Sequence, residues 1–151
     1  MNPDESPHDP EPPPDAIEQI DHTADWSFAA RGRDLEELLR NTTRGIGLLL
    51  LDEGYWLIPK AAESRRVTLE AEDAEGLLVA WMNEIAYFAE RDGFIVREME
   101  VGQLTSTGVS AIVRGGRAAE MNKHIKAVTY HDIAIRTIPD GRLEVTVVLD
   151  V

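Results

Sequence analysis

The sequence contains no cysteine, which removes disulfides, thiol nucleophiles and zinc–thiolate sites and, with no export signal visible, points to a reducing cytoplasm. No apolar run approaches the eighteen or so residues that span a bilayer, and Met1-Asn2-Pro3-Asp4-Glu5 lacks a basic region followed by an apolar stretch. Basic residues are in deficit: 15 Lys and Arg face 28 Asp and Glu, a net charge of −13 with a pI near 4.6. That balance lacks the footprint of a protein that grips phosphate backbones, so a nucleic-acid role is expected to be indirect. An acidic body suits solubility or a basic protein partner. Also absent are HExxH, a nucleophile elbow, a phosphate-cradling glycine loop and internal repeats.

What is present fits one domain: 151 residues, 43% hydrophobic and 28% charged, are enough to bury a core without staples. Residues 1–15 are rich in proline and acids and read as a disordered leader, leaving 16–151 as the folded domain. Ala16 to Asp21 and Trp26 to Arg31 read as strands joined by His22-Thr23-Ala24-Asp25. Asp34 followed by Glu37 resembles a capping box, and Leu35, Leu38, Leu39, Thr42 and Ile46 continue at helical spacing toward Leu51. Pro59 breaks the chain before a strand through Val67, Leu69 and Ala71. Asp73 caps a second helix with a wide apolar stripe that ends at Gly93. Phe94 to Val101 and Val109 to Arg114 read as strands, and Gly115 to Lys123 as a polar loop. The order predicts an α+β domain, two helices packed on one face of a largely antiparallel or mixed sheet.

Pro139-Asp140-Gly141 predicts a three-residue hairpin loop between strands Ile125–Ile138 and Arg142–Leu149. With Ile138 facing Arg142, Arg136 faces Glu144 as an ion pair, Ala134 faces Thr146, Ile135 faces Val145 and Ile133 faces Val147. The same count puts His131 opposite Leu149 and Tyr130 opposite Asp150. His131, on the core face by this register, reads first as a buried, hydrogen-bonded histidine and second as a ligand or base. Lys126, Tyr130 and Asp150 share the other face, an expected polar cluster. Asp150 and the last carboxylate, on Val151, place two hard oxygen donors at the end of a strand. With a third carboxylate alongside, they can hold a cation such as Ca²⁺ or Mg²⁺; the plain alternative is an ordinary frayed terminus.

Three segments together, Asp21-His22-Thr23-Ala24-Asp25, Ile125-Lys126-Ala127-Val128-Thr129-Tyr130-His131 and Val147-Val148-Leu149-Asp150-Val151, resemble the archease family. Gly32 with Leu35-Glu36-Glu37, and Leu77-Leu78-Val79-Ala80-Trp81-Met82-Asn83-Glu84, fit the same family pattern. The resemblance implies a non-catalytic accessory protein: an activator of the GTP-dependent RNA-splicing ligase in tRNA splicing and RNA repair. That ligase guanylylates its own histidine, and the activator promotes this step and multiple turnover. RNA is met only through the ligase, and no membrane is involved. The resemblance also implies a divalent metal site at Asp25, Asp150 and Val151, calcium ahead of magnesium or manganese. Lys126 joins Asp25 and Asp150 as ligase-activating residues, with His22, Tyr130 and His131 in support. The chain departs from the family pattern at His124, where an acid is common, and at the terminal Val151. The alternatives are a chaperone-like binding module and a metal-dependent hydrolase built on Asp25, Asp150, His22 and His131.

Overall fold

The structure is a computed structural model that describes residues 11–20, 26–129 and 132–151. The elements run β1 (Ile17–Ile20), β2 (Trp26–Gly32), α1 (Leu35–Leu51), a 3₁₀ helix (Asp52–Leu57), β3 (Glu63–Glu70) and α2 (Ala74–Asp92). They continue with β4 (Phe94–Thr105), β5 (Gly108–Arg117), β6 (Ala127–Val128), β7 (Arg136–Thr137) and β8 (Leu143–Asp150). The α+β class holds, with the strands divided between two antiparallel sheets rather than gathered in one. The larger runs β1-β2-β8-β6 with β7 also on β8, and the smaller runs β3-β5-β4. Both helices reach both sheets, α1 against β2 and β4, α2 against β6 and β4.

Local sequence explains most boundaries. Asp34 Oδ1 accepts the Glu37 N–H at 2.9 Å and Asp73 Oδ1 accepts the Gly76 N–H at 2.7 Å, each satisfying an orphan donor of a first turn. The Glu37 carboxylate reaches back to the Arg33 N–H rather than to Asp34, so the capping box is displaced by one residue. Gly93, at φ 69°, ends α2 by donating to the Ala89 carbonyl. Between the helices, the Trp81 indole N–H donates to the buried Thr43 hydroxyl at 2.8 Å, so the largest core side chain is also satisfied.

Two segments differ from the sequence reading. Asp52 takes φ 50°, stops α1 and starts the 3₁₀ helix. The buried Arg97 guanidinium holds that helix from below, donating to the carbonyls of Trp56 and Ile58 beneath the Tyr55 and Trp56 rings. Gly115 and Gly116 do not open a loop; they belong to β5. A Cβ at Gly115 would lie 1.8 Å from the Ile95 carbonyl oxygen, so glycine there permits close backbone approach within the sheet.

Candidate site at the carboxyl end of the chain

The turn behaves as its residues dictate. Gly141 takes φ 92°, Ile138 N–H donates to the Arg142 carbonyl, and Arg136 faces Glu144 with an ion pair of 3.8 Å. Glu144 is held more tightly by Arg31 across β2, at 2.8 Å. Thr137 facing Leu143 continues the count, and then the ladder breaks.

Further along, β8 pairs Leu149 with Val128 and Asp150 with Ala127, where the uninterrupted register would give His131 and Tyr130. The expected single strand Ile125–Ile138 is therefore two short pieces, offset by three residues. Two features account for the break. Asp132 adopts φ 53°, which no strand accommodates. Side chains of α2 also take backbone bonds that a strand partner would otherwise take: the Glu75 carboxylate accepts the Ile135 N–H at 3.2 Å, and Asn83 accepts the Val128 N–H at 2.9 Å. Ile133 and Ile135 still pack against the core.

The new register changes the polar cluster. The Lys126 N–H donates to the Asp150 carbonyl at 2.7 Å although Ala127 is the residue paired with Asp150. Two residues thus face one, the pattern of a β-bulge, a device that re-aims a side chain. The Lys126 and Asp150 side chains are exposed and Val151 is half-buried. Among the described residues the Asp150 carboxylate has neither a hydrogen bond nor an ion pair, so its oxygens are available to a cation, and hard oxygen donors suit calcium or magnesium. Asp25, His22, Tyr130 and His131 lie outside the described residues. No group of three acids or histidines able to hold a metal occurs among the described ones.

Residues not singled out from sequence hold the lysine segment in place. Asn122 N–H donates to the Leu50 carbonyl and its amide to Asp52, both at 2.7 Å. The Glu90 carboxylate accepts the Ile125 N–H at 2.7 Å and lies 3.0 Å from His124. The Lys123 ammonium stands 3.8 Å from the Trp26 ring centroid. The available signal was Asn83 and Glu90, two polar residues seven apart at the margin of an apolar helix stripe.

Shifted carboxyls mark structural pairs elsewhere. Arg91 and then Arg65 hydrogen-bond Asp92 and bring its pKa down to about 2. Arg142 lowers both Asp15 and Asp140, tying the segment before β1 to the hairpin turn.

Residues 18–151 match the model of the archease protein family (MTH1598/TM1083). Protein archease of Methanothermobacter thermautotrophicus is 30% identical over 142 residues, 89% of this chain and 97% of that protein. The archease of Archaeoglobus fulgidus is 34% identical over 133 residues, 85% of this chain and 95% of that protein. Among solved structures, the solution structure of Methanobacterium thermoautotrophicum protein 1598 superposes with a TM-score of 0.73 at 28% identity, covering 91% of this chain and 99% of its own. A Thermotoga maritima crystal structure, described as an archease and possible chaperone, gives a TM-score of 0.59 at 22% identity over 87% of this chain and 94% of its own, a likeness of fold.

Proposed function

We propose, for a chain that belongs to the archease family, the role of an accessory protein that activates the GTP-dependent RNA-splicing ligase by promoting guanylylation of the ligase histidine. The observation that carries this reading is the strand register. Trp26 faces Leu149 in the β2–β8 ladder, so the residues flanking that pair in sequence are Asp25 and Asp150, and the β6 bulge brings the Lys126 backbone to the same strand end. One strand end thus carries an exposed acid, Asp150, beside an exposed lysine, Lys126, on tethered backbone.

Asp25, Asp150 and Val151 would hold a divalent cation, calcium ahead of magnesium or manganese, and its chemistry would be to neutralise triphosphate charge. The chain's own residues do the rest. Lys126 presents a point charge that can meet phosphate or carboxylate on the partner. Glu90, Asn83 and Asn122 hold the backbone that carries it. The acidic body favours encounter with a basic partner and speeds docking at low salt.

The deciding experiment is ligase guanylylation with the cognate ligase limiting, with and without this protein. Activation is expected, with a change from single to multiple turnover. Asp150→Ala is expected to bind the ligase yet lose most of the activation, and full activation by that variant would sink the site assignment. A chaperone-like binding module is the second reading, favoured by Trp56 and Leu57, 41% and 86% exposed on the 3₁₀ helix. It predicts ligase-independent suppression of aggregation.

A further inference from the structure

The amino-terminal edge of the larger sheet has features that the activator role does not use. Among the described residues β1 is an outermost strand, paired only with β2. Arg31 N–H donates to the Ala16 carbonyl at 2.8 Å, and the register runs Ile17 with Ala30 to Ile20 with Ser27. In an antiparallel ladder bonded and non-bonded pairs alternate, so Ala16, Glu18 and Ile20 bond to β2 while the backbone groups of Ile17 and Gln19 point away from it. Among the described residues that is an open edge with a defined phase. It is only four residues long, the length at which natural sheets tolerate exposure.

Beside this edge run two hollows of about 270 and 350 Å³ that share Ile17 and Leu48 as walls. The first lies between the sheet and α1, over Trp26, Phe28 and Leu49. Phe28 can lie flat on α1 because Gly45 offers no Cβ, which would sit 2.4 Å from the ring. The second continues between Trp56 and the Pro12–Pro14 segment. The charged side chains lining them are Glu11, Asp52 and Glu53; among the described residues no lysine or arginine lines either hollow. Lys123, over the Trp26 ring, marks the end of the seam.

An apolar seam with acidic walls, alongside a strand edge, combines what strand addition needs: backbone donors and acceptors in phase, and room for alternate side chains. We propose that the β1 edge is a docking site for an extended, basic segment of a partner protein. Its backbone bonds to Ile17 and Gln19, and the alternate side chains on one of its faces turn to the two hollows, apolar ones entering them and basic ones at the same spacing meeting Glu11, Asp52 and Glu53 on the walls. The charge complementarity selects this occupant, because an acidic segment would be repelled by these walls and by the net charge of −13.

The test uses the full chain and a short soluble peptide with threonine at every second position and valine and lysine at the positions between, in roughly 0.15 M salt, where exposed charges beyond about 8 Å are screened. Amide exchange of Ile17 and Gln19, followed by NMR, is expected to slow at least tenfold on saturation, with a blue shift of Trp26 and Trp56 fluorescence. N-methylation of the peptide at alternate amides is expected to weaken binding at least tenfold, and Glu53→Lys to weaken it more than Glu72→Lys, an exposed acid outside the seam. Binding without protection of Ile17 and Gln19, equal binding of the N-methylated peptide, or equal losses from both charge reversals would overturn the proposal. Protection of the same amides by self-association of the free chain would assign the edge to a second copy and overturn it too.

Discussion

Replacing Asn83 by alanine tests how the lysine segment is held. Asn83 lies on α2, and its amide both accepts the Val128 N–H at 2.9 Å and donates to the Val128 carbonyl at 3.3 Å. It occupies the place of a strand on the outer side of the two-residue β6, imitating a backbone pair. Val128 is 3% exposed, so removing the amide leaves a buried N–H with no partner. An unsatisfied buried donor costs about 1–3 kcal/mol, and the longer bond to the carbonyl adds about 0.5 kcal/mol. Alanine returns at most about 0.7 kcal/mol in helix propensity. The expected net loss is about 2 kcal/mol, or about 4–8 °C in Tm for a domain of this size. Denaturant unfolding measures the loss, and amide exchange at Val128 locates it. Asn83→Asp keeps the shorter bond and should lose less than Asn83→Ala. A loss under about 0.5 kcal/mol for Asn83→Ala, with Val128 exchange unchanged, would refute the view that this side chain substitutes for a strand.

Gly115→Ala should be among the most damaging single changes, because its Cβ would collide with the Ile95 carbonyl of a neighbouring strand. A loss of about 3 kcal/mol or failure to fold is expected by denaturant titration, and a neutral result would mean that β4 and β5 can separate there. Asp92, held near pKa 2 by Arg91 and Arg65 against an ordinary value of 3.8, contributes stability that is complete above about pH 4. That contribution is lost as pH falls toward 2, since a depressed folded pKa favours the charged form. Carboxyl NMR titration should place Asp92 low in this range, and Arg91→Met should move its midpoint upward. Lys126→Ala and Asp150→Ala, both at exposed positions, should leave the unfolding midpoint within about 0.5 kcal/mol of the parent, which separates the proposed effect on a ligase from one on folding.

The parts legible in the sequence are those set by neighbours along the chain. Asp34 and Asp73 cap α1 and α2, Gly93 ends α2, and Pro139-Asp140-Gly141 fixes Arg136 against Glu144. The parts that escaped are set by residues far away. Nothing near Thr129 announces that Asn83 and Glu75, 45 and 60 residues from their partners, will interrupt the ladder and shift its register by three. Asp52 reverses the backbone after α1 without a glycine, so the 3₁₀ helix gives no local warning. Gly115 and Gly116 look like loop residues and serve instead to let strands approach. Asp150 was legible as an exposed acid on the polar face of its strand. That the Lys126 N–H reaches its main-chain carbonyl, by a bulge, was not.

The two ends of the larger sheet are unequal. At the β6 end, α2 supplies Asn83 where a further strand would hydrogen-bond, while among the described residues the β1 end is bare. A sheet open on both sides can propagate copy after copy into a fibre, whereas one open on a single side can be extended only once. Association through the β1 edge would therefore stop at one step, two copies closing with twofold symmetry, if Asn83 and the two-residue β7 offer no second joint. The same asparagine that steadies the lysine segment covers the backbone of this second edge, and its loss would leave the Val128 N–H and carbonyl exposed to a strand.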